Sequence, residues 1–460
     1  MNSENNSTQA TITLPEGWNV VKFGEVADIL SGYAFKSNEF VDNGIPVIKI
    51  KNIEPPYVTI NDVQYISKES AAEKGKYLLS YDDILISMTG SNITQMTSVV
   101  GKVGRVRVKR PLLLNQRVGK IYVINSSEYD QHFLYFYMSR DEVKYELASM
   151  AGGSANQANI SPKQIKQLVL PNPPIEEQRE ISAILSSLDD KIELNITINK
   201  NLEDMAQALF KRWFVDYEFP NENGEPYKSS GGEFEESELG VIPKGWRAGT
   251  LSDLGEVVGG ATPSKSKEEY YTPRGIPWIT PKDLSINKNK YISRGQIDIT
   301  DEGFKSSSTR IVPKGTVLFS SRAPIGYIAV SKNEMTTNQG FKSLIPFEHI
   351  GSEFLFYVLK FNTETIETRA SGSTFKEISG SEMKRIPIII PPFNVIKQFN
   401  IIVEPVGKMV EKCESESDSL IQLRDSLLPK LMSGEIRVPL KQDSLYTHSI
   451  ELPLAADNNA

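Results

Sequence analysis

The sequence predicts an α+β (mixed α/β) protein made of two tandem copies of one unit. Each copy is an α/β domain followed by a long helix, and the two helices pair. Three observations carry this: an ordered set of duplicated words, short apolar runs separated by turn residues, and two heptad seams. Leu14-Pro15-Glu16-Gly17-Trp18 recurs as Ile242-Pro243-Lys244-Gly245-Trp246, and the same shift of 228 residues carries Gly32 to Gly260. Gly44–Ile48 then matches Gly275–Ile279, Ile84–Ser87 matches Val317–Ser320, and Asn115-Gln116 matches Asn338-Gln339. Phe133–Tyr137 matches Phe354–Val358, Gly153-Ser154 matches Gly372-Ser373, and Pro173-Pro174 matches Pro391-Pro392. One matched word means little, but matches kept in one order along the chain indicate a tandem duplication.

The elements follow in order. Val47–Ile53, Tyr77–Leu79, Ile84–Ser87, Ile121–Ile124 and Leu168–Leu170 are apolar runs bounded by Gly, Pro, Asn or Ser, and read as strands. Tyr129–Ser149 reads as one amphipathic helix. After Pro173-Pro174, the residues Ile181, Leu185, Leu188, Ile192, Asn195, Asn199, Leu202, Ala206, Leu209 and Trp213 alternate steps of four and three, a heptad seam. A helix from Ile175 to Trp213 would be ~58 Å long at 1.5 Å per residue, too long to bury in one domain. The second copy continues the pattern with Ile402, Val406, Met409, Cys413, Glu416, Leu420, Leu423 and Leu427. Pro405 and Gly407 weaken the start of that helix, and Pro429 is expected to bend its end. Neither helix hides its stripe alone, so each is expected to cover the other. Asn195 and Asn199 then read either as a register pair or as a solvated notch.

The predicted boundaries are 14–173 for the first α/β domain, 174–215 for its helix, 216–240 for an acidic linker, 241–392 for the second α/β domain, 393–436 for its helix and 437–460 for a mobile tail. The chain is 39% hydrophobic and 24% charged, as globular proteins are, and no run reaches the ~18 apolar residues of a membrane span. Met1–Ala10 is polar and lacks a signal-peptide pattern, so a cytoplasmic location without membrane contact is expected. The single Cys413 excludes an internal disulfide, and His132, His349 and His448 lie far apart, so no metal site is expected. A net charge of −7 argues at first against nucleic acid. Between Asp216 and Glu238, however, lie eight acids and one base, which account for the whole imbalance. The remainder is neutral overall and open to local basic patches.

Several words then meet a known family. Leu14–Trp18 opens a domain, Pro-Pro-Ile-Glu-Glu-Gln (Pro173–Gln178) precedes the first long helix, and Ala-Leu-Phe-Lys-Arg-Trp-Phe-Val-Asp-Tyr (Ala208–Tyr217) closes it. Gly372–Ser379 and Leu423–Ile436 complete the set, and Pro391–Gln398 departs from it by two extra residues before Gln398. From about Leu14 to Leu440 the chain resembles the specificity subunits of type I restriction–modification systems. The resemblance implies that each α/β domain is a target-recognition domain reading one half of a bipartite, asymmetric double-stranded DNA target. It implies an antiparallel helical spacer on which two modification subunits dock to methylate adenine, with restriction subunits joining. The implied chemistry belongs to the partners, which would use S-adenosylmethionine, ATP and Mg; this chain would carry no cofactor and no catalytic centre. Residues for docking or spacing are Ile181, Leu185, Leu188, Ile192, Asn195, Asn199, Leu202, Leu209, Trp213, Met409, Leu420, Leu423 and Leu427. The alternative is a coiled-coil scaffold whose repeated domains bind proteins.

Candidate DNA contacts can be named from side-chain chemistry. Lys102–Arg110 has five bases and no acid, with Arg105, Arg107 and Lys109 alternating with Val106 and Val108. As a strand it would present one basic face, to phosphates or as a charge-guarded edge. Ser87, Thr89, Ser91, Asn92, Thr94 and Gln95 follow a strand and are dense in uncharged groups that bond base edges, as solvated loops also are. Their counterparts are Ser320, Ser321 and Arg322, the last able to bind guanine bidentately. Arg117, following Asn115-Gln116, and the duplicated Asn338 and Gln339 suit a shared structural role as readily as DNA; Asn156 and Gln157 are weaker candidates. Catalytic motifs fail: Asn172-Pro173-Pro174-Ile175 is similar to the amino-methyltransferase motif but lacks its aromatic residue, and Gly101-Lys102-Val103 lacks the earlier Gly and the Ser/Thr of a phosphate loop.

Overall fold

The structure, a computed structural model, describes residues 14–91, 100–154, 157–322, 324–372 and 376–439. It divides into two compact units, Met1–Asp190 with Leu420–Ala460, and Lys191–Ser419. Both boundaries fall inside the long helices, Ile175–Phe210 and Phe393–Ser433. Among the described residues no helix is long and apolar enough to cross a membrane.

In the first unit a six-stranded mixed sheet runs in the order Ala27–Ser31, Val118–Val123, Ile84–Ser87, Val103–Arg105, Tyr57–Val58, Ile53–Glu54. A five-stranded sheet runs Phe40–Val41, Gln64–Ile66, Ile45–Ile48, Leu112–Leu114, Leu78–Leu79. The second unit repeats the plan with five strands centred on Val317–Ser321 and four centred on Asp298–Ile299 and Ile276–Ile279. Ile84, Leu85 and Ile86 are all fully buried, as are Val317, Leu318 and Phe319, so these central strands are covered on both faces. In each unit the strand after the Trp that opens the copy pairs antiparallel with the strand leading into a long helix: Asn19–Lys22 with Val169–Asn172, and Arg247–Thr250 with Pro387–Ile390.

The helices pair antiparallel within each unit. In the first, Glu177 meets Arg437 and Asp189 meets Arg424, so one number rises as the other falls. Ile181 and Leu185 join Leu427, Leu431 and Met432 in the domain core. In the second, Asn195 is fully buried and donates to the Glu416 carboxylate at 2.9 Å and the Cys413 carbonyl at 3.4 Å. Fifteen residues on, Phe210 meets Phe399, and Trp213 is buried beside it. Ile192 and Ala206 are buried, whereas Leu188, Asn199, Leu202, Leu209 and Leu420 are half-buried.

The second helix is rotated from the predicted stripe. Ile402, Met409 and Leu423 are exposed, and the buried residues are Phe399, Val403, Val410, Cys413 and Ser417. The two stripes interlace, sharing positions 406 and 413, so periodicity alone does not choose between them. Gly407 chooses: a Cβ there would overlap the Glu353 carboxylate and the Tyr291 hydroxyl. It is a point of close approach rather than a helix breaker. The helix runs unbroken through Pro405, Gly407 and Pro429; packing of Val403 and Val410 offsets the bond a proline removes.

Three further expectations are corrected. Tyr129–Ser149 is two helices, Gln131–Met138 and Asp141–Met150, the first capped by the Asp130 carboxylate on the His132 and Phe133 N–H groups. The acidic segment 216–240 is folded. Phe219 stacks on Tyr227 at 4.5 Å, Trp246 packs on Phe219, and Phe234–Ser237 pairs with Gly240–Pro243. Its aromatic residues supply an apolar face that the count of acids concealed. The tail does not start at 437, because Arg437 grips Glu177 at 2.7 Å and Val438 packs on the first core. Residues 440–460 lie outside the described ones.

Candidate nucleic-acid interface

The central strand of each unit ends in polar residues, and the fold decides which of them turn inwards. Ser87, Thr89 and Ser91 are buried. The Ser87 hydroxyl accepts the Lys102 N–H at 2.9 Å, and the Thr89 hydroxyl donates to Asn159 Oδ1 at 2.7 Å. In the second unit Ser320 and Ser321 are fully buried, and Ser320 accepts the Tyr327 N–H at 2.7 Å. All five turn inwards at the strand ends and are not surface contacts; the Ser87, Thr89 and Ser320 hydroxyls are satisfied there, whereas Ser321 Oγ is buried without a hydrogen-bond partner among the described residues. Asn92, Thr94, Gln95 and Asn156 lie outside the described residues, and Gln157 lies on the strand Gln157–Asn159.

The basic strand is also corrected. Only Val103–Arg105 is strand, and Arg105 is 1% exposed. Its guanidinium donates to Asp189 of the long helix at 2.8 Å and lies over the Tyr135 ring at 4.5 Å. Arg424 reaches the other oxygen of Asp189 at 2.9 Å. Arg107 pairs with Asp82 and Asp190 and lies over Tyr81. Asp82 is held down to about 2 by its hydrogen bond to His132 and by the charges of His132, Arg105 and Arg107. The alternation therefore does not make one basic face: Arg105 and Arg107 turn to the carboxylates of Asp82, Asp189 and Asp190, while Lys109 is exposed. Lys102 is half-buried, whereas Lys109 and Arg117 are exposed.

The second unit holds a clamp of different chemistry. Lys290, 6% exposed, donates to Glu353 at 2.7 Å and lies 3.1 Å from Glu203. Glu414 of the long helix accepts the N–H groups of Lys290 and Tyr291 at 2.6 and 3.0 Å, and burial pushes its carboxyl up to about 7. Sequence reading missed both clamps: Arg105 sits in a run of five bases, Asp189 beside Asp190 and Lys191, and Lys290 in a polar stretch with Lys288, so nothing local marks them as buried.

What stays at the surface is concentrated. In the second unit Arg322, Asn338 and Gln339 line one open groove of about 680 Å³. Lys265, Lys282 and Gln296, which sequence reading passed over, share it. Asn338 Oδ1 accepts the Gly340 N–H at 2.8 Å, and the Gln339 side chain meets the Thr262 hydroxyl. The duplicated Asn also has a backbone role: a Cβ on Gly32 or Gly260 would overlap the carbonyl of Asn115 or Asn338 respectively. The groove thus combines a guanidinium, two ammonium groups and amides that both donate and accept.

A family model described as the type I restriction modification DNA specificity domain matches residues 15–204 and again 243–416. The chain belongs to the type I restriction–modification DNA specificity family. The double match restates the internal repeat. The specificity subunit of type I restriction enzyme MjaIX from Methanocaldococcus jannaschii is 43% identical over 190 residues, 41% of this chain and 44% of that protein. That similarity spans less than half of the relative's length. The HindI specificity subunit from Haemophilus influenzae is 29% identical over 65% of this chain and 76% of its own length. The putative MjaX specificity subunit from Methanocaldococcus jannaschii is 25% identical over 92% and 95%. The crystal structure of a type I S subunit from M. genitalium shares the fold with a TM-score of 0.56 at 17% identity, covering 94% of this chain and 98% of that one.

Proposed function

We propose that the chain is the DNA-reading component of a type I restriction–modification complex. Each α/β domain reads one half of a bipartite duplex target, and the paired helices set the gap. The observation that carries this is the groove of the second unit, where Arg322, Asn338 and Gln339 meet Lys265, Lys282 and Gln296. Such groups bond phosphates and base edges together. The first unit carries Arg117 and Asn159 at the corresponding strand end. Membership of a DNA specificity family supports the same reading.

Two modification subunits dock on the helical pair and methylate adenine with S-adenosylmethionine; restriction subunits, using ATP and Mg, join them. The exposed Leu194, Ile196, Met205, Ile402 and Met409 on the helices of the second unit support docking there. The test is duplex binding by the assembled complex across salt concentrations, with methylated adenines mapped in a host genome. The expected result is a steep fall of affinity with salt and a methylated target of two half-sites. Binding insensitive to salt and sequence would refute the reading and favour a protein scaffold.

A further inference from the structure

We propose that Asn159 in the first unit and Glu377 in the second occupy one specificity-setting position, and that Glu377 acts by aiming the Arg322 guanidinium at a base edge. This rests on the DNA reading given above. The equivalence of the two positions comes from backbone hydrogen bonds. The Ile160 N–H donates to the Met88 carbonyl at 3.0 Å, and the Ile378 N–H donates to the Ser321 carbonyl at 3.0 Å. Thr89 accordingly pairs antiparallel with Asn159, and Arg322 with Glu377. Two residues further on, Ser161 and Ser379 each cap a short helix, accepting the N–H of Gln164 and Glu382. One backbone frame therefore holds Thr89 opposite Asn159 and Arg322 opposite Glu377, although the side chains share no chemistry. A common frame with divergent polar groups is where duplicated halves come to read different bases.

In the first unit Asn159 Oδ1 accepts from the Thr89 hydroxyl at 2.7 Å and from Arg117 Nη1 at 3.4 Å. A guanidinium can only donate, so Arg117 fixes the amide oxygen on the protein side. The two N–H donors of Nδ2 then remain for an acceptor on a base. In the second unit Glu377 Oε2 accepts from Arg322 Nη1 at 3.5 Å, and Oε1 accepts from Lys342 Nζ at 3.4 Å. One carboxylate shared between two cations leaves a surplus positive charge. Arg322 has five N–H donors and spends one on Glu377. The rest of its fork faces the groove that Asn338, Gln339 and Lys282 also line. An untethered guanidinium on a long stem settles on the nearest phosphate, which adds affinity but no sequence information. A guanidinium held at one nitrogen keeps its other edge for the bidentate pair with guanine O6 and N7.

The test uses the full chain assembled with its modification subunits, a duplex carrying the mapped target with each base pair substituted in turn, and random duplex for reference. Glu377→Gln is expected to reduce discrimination about tenfold at one base pair of one half-site. It is expected to raise affinity for random duplex at the same time, because an acid leaves a cationic surface. Glu377→Asp keeps the charge and should retain most of the discrimination, while Asn159→Asp should alter preference in the other half-site only. Equal weakening on specific and random duplex with a lowered melting temperature would assign Glu377 a merely structural role and overturn the proposal. A folded Glu377→Gln complex that discriminates normally at every position would also overturn it, leaving the DNA reading intact. An unsubstituted complex with no preference for its target would sink both.

Discussion

Arg105 separates two explanations of the basic segment by their opposite signatures. Replacing it with Ala removes a guanidinium that is 1% exposed, its 2.8 Å bond to Asp189, its 3.8 Å approach to Asp82 and its stacking on Tyr135. Asp189 is equally buried and would keep only Arg424, at 2.9 Å. Breaking a buried ion pair by deleting one partner costs about 3–5 kcal/mol. The surviving Arg424 bond places this case near the lower figure, and the vacated space adds to it. At roughly 2–4 °C per kcal/mol for a unit of this size, the melting temperature should fall by about 6–12 °C. The assay pairs thermal melting of the purified chain with duplex binding by the assembled complex between low and high salt. The slope of log affinity against log salt should be unchanged, because no phosphate contact is lost. A phosphate-binding arginine would do the reverse, leaving the melting temperature alone and lowering the slope by about 0.9. That second outcome would refute the burial argument.

Four other outcomes follow from the geometry. Arg322→Ala should relax recognition at one base pair in one half-site, by about 1–3 kcal/mol, in competition binding against substituted duplexes. Glu414 carries a raised folded pKa, so between its ordinary value near 4.5 and about 7 the folded chain holds a proton that the unfolded chain has released, and stability falls as pH rises. Melting from pH 5 to 8 should show a loss of roughly 3 kcal/mol that Glu414→Gln lacks. Gly407→Ala should lower the melting temperature although Ala favours helix by about 1 kcal/mol, because the new methyl meets Glu353 and Tyr291. Ile402→Asn with Met409→Asn, both exposed, should leave melting nearly unchanged but abolish co-elution with the modification subunit in size-exclusion chromatography.

Order and period were enough to read the plan of this molecule. The duplicated words from Trp18 and Trp246 to the paired prolines place two like domains before two long helices, because a strand or helix announces itself by the local spacing of its apolar residues. Asn338 and Gln339 were legible as candidates because they repeat Asn115-Gln116, and Arg322 because its guanidinium follows a matched strand; the fold gathers all three in one groove. Tertiary structure alone decided which charges face water. Arg105 looks like Lys109 in the sequence, yet one is clamped to Asp189 and the other is exposed. Asn159 and Glu377 passed unnoticed because their partners, Thr89 and Arg322, lie 70 and 55 residues away along the chain. The same holds for the stripe of the second helix, where Gly407 rather than the heptad sets the rotation. Local periodicity is written into neighbouring residues, whereas the burial of a charge depends on whether a partner of opposite sign arrives from a distant segment.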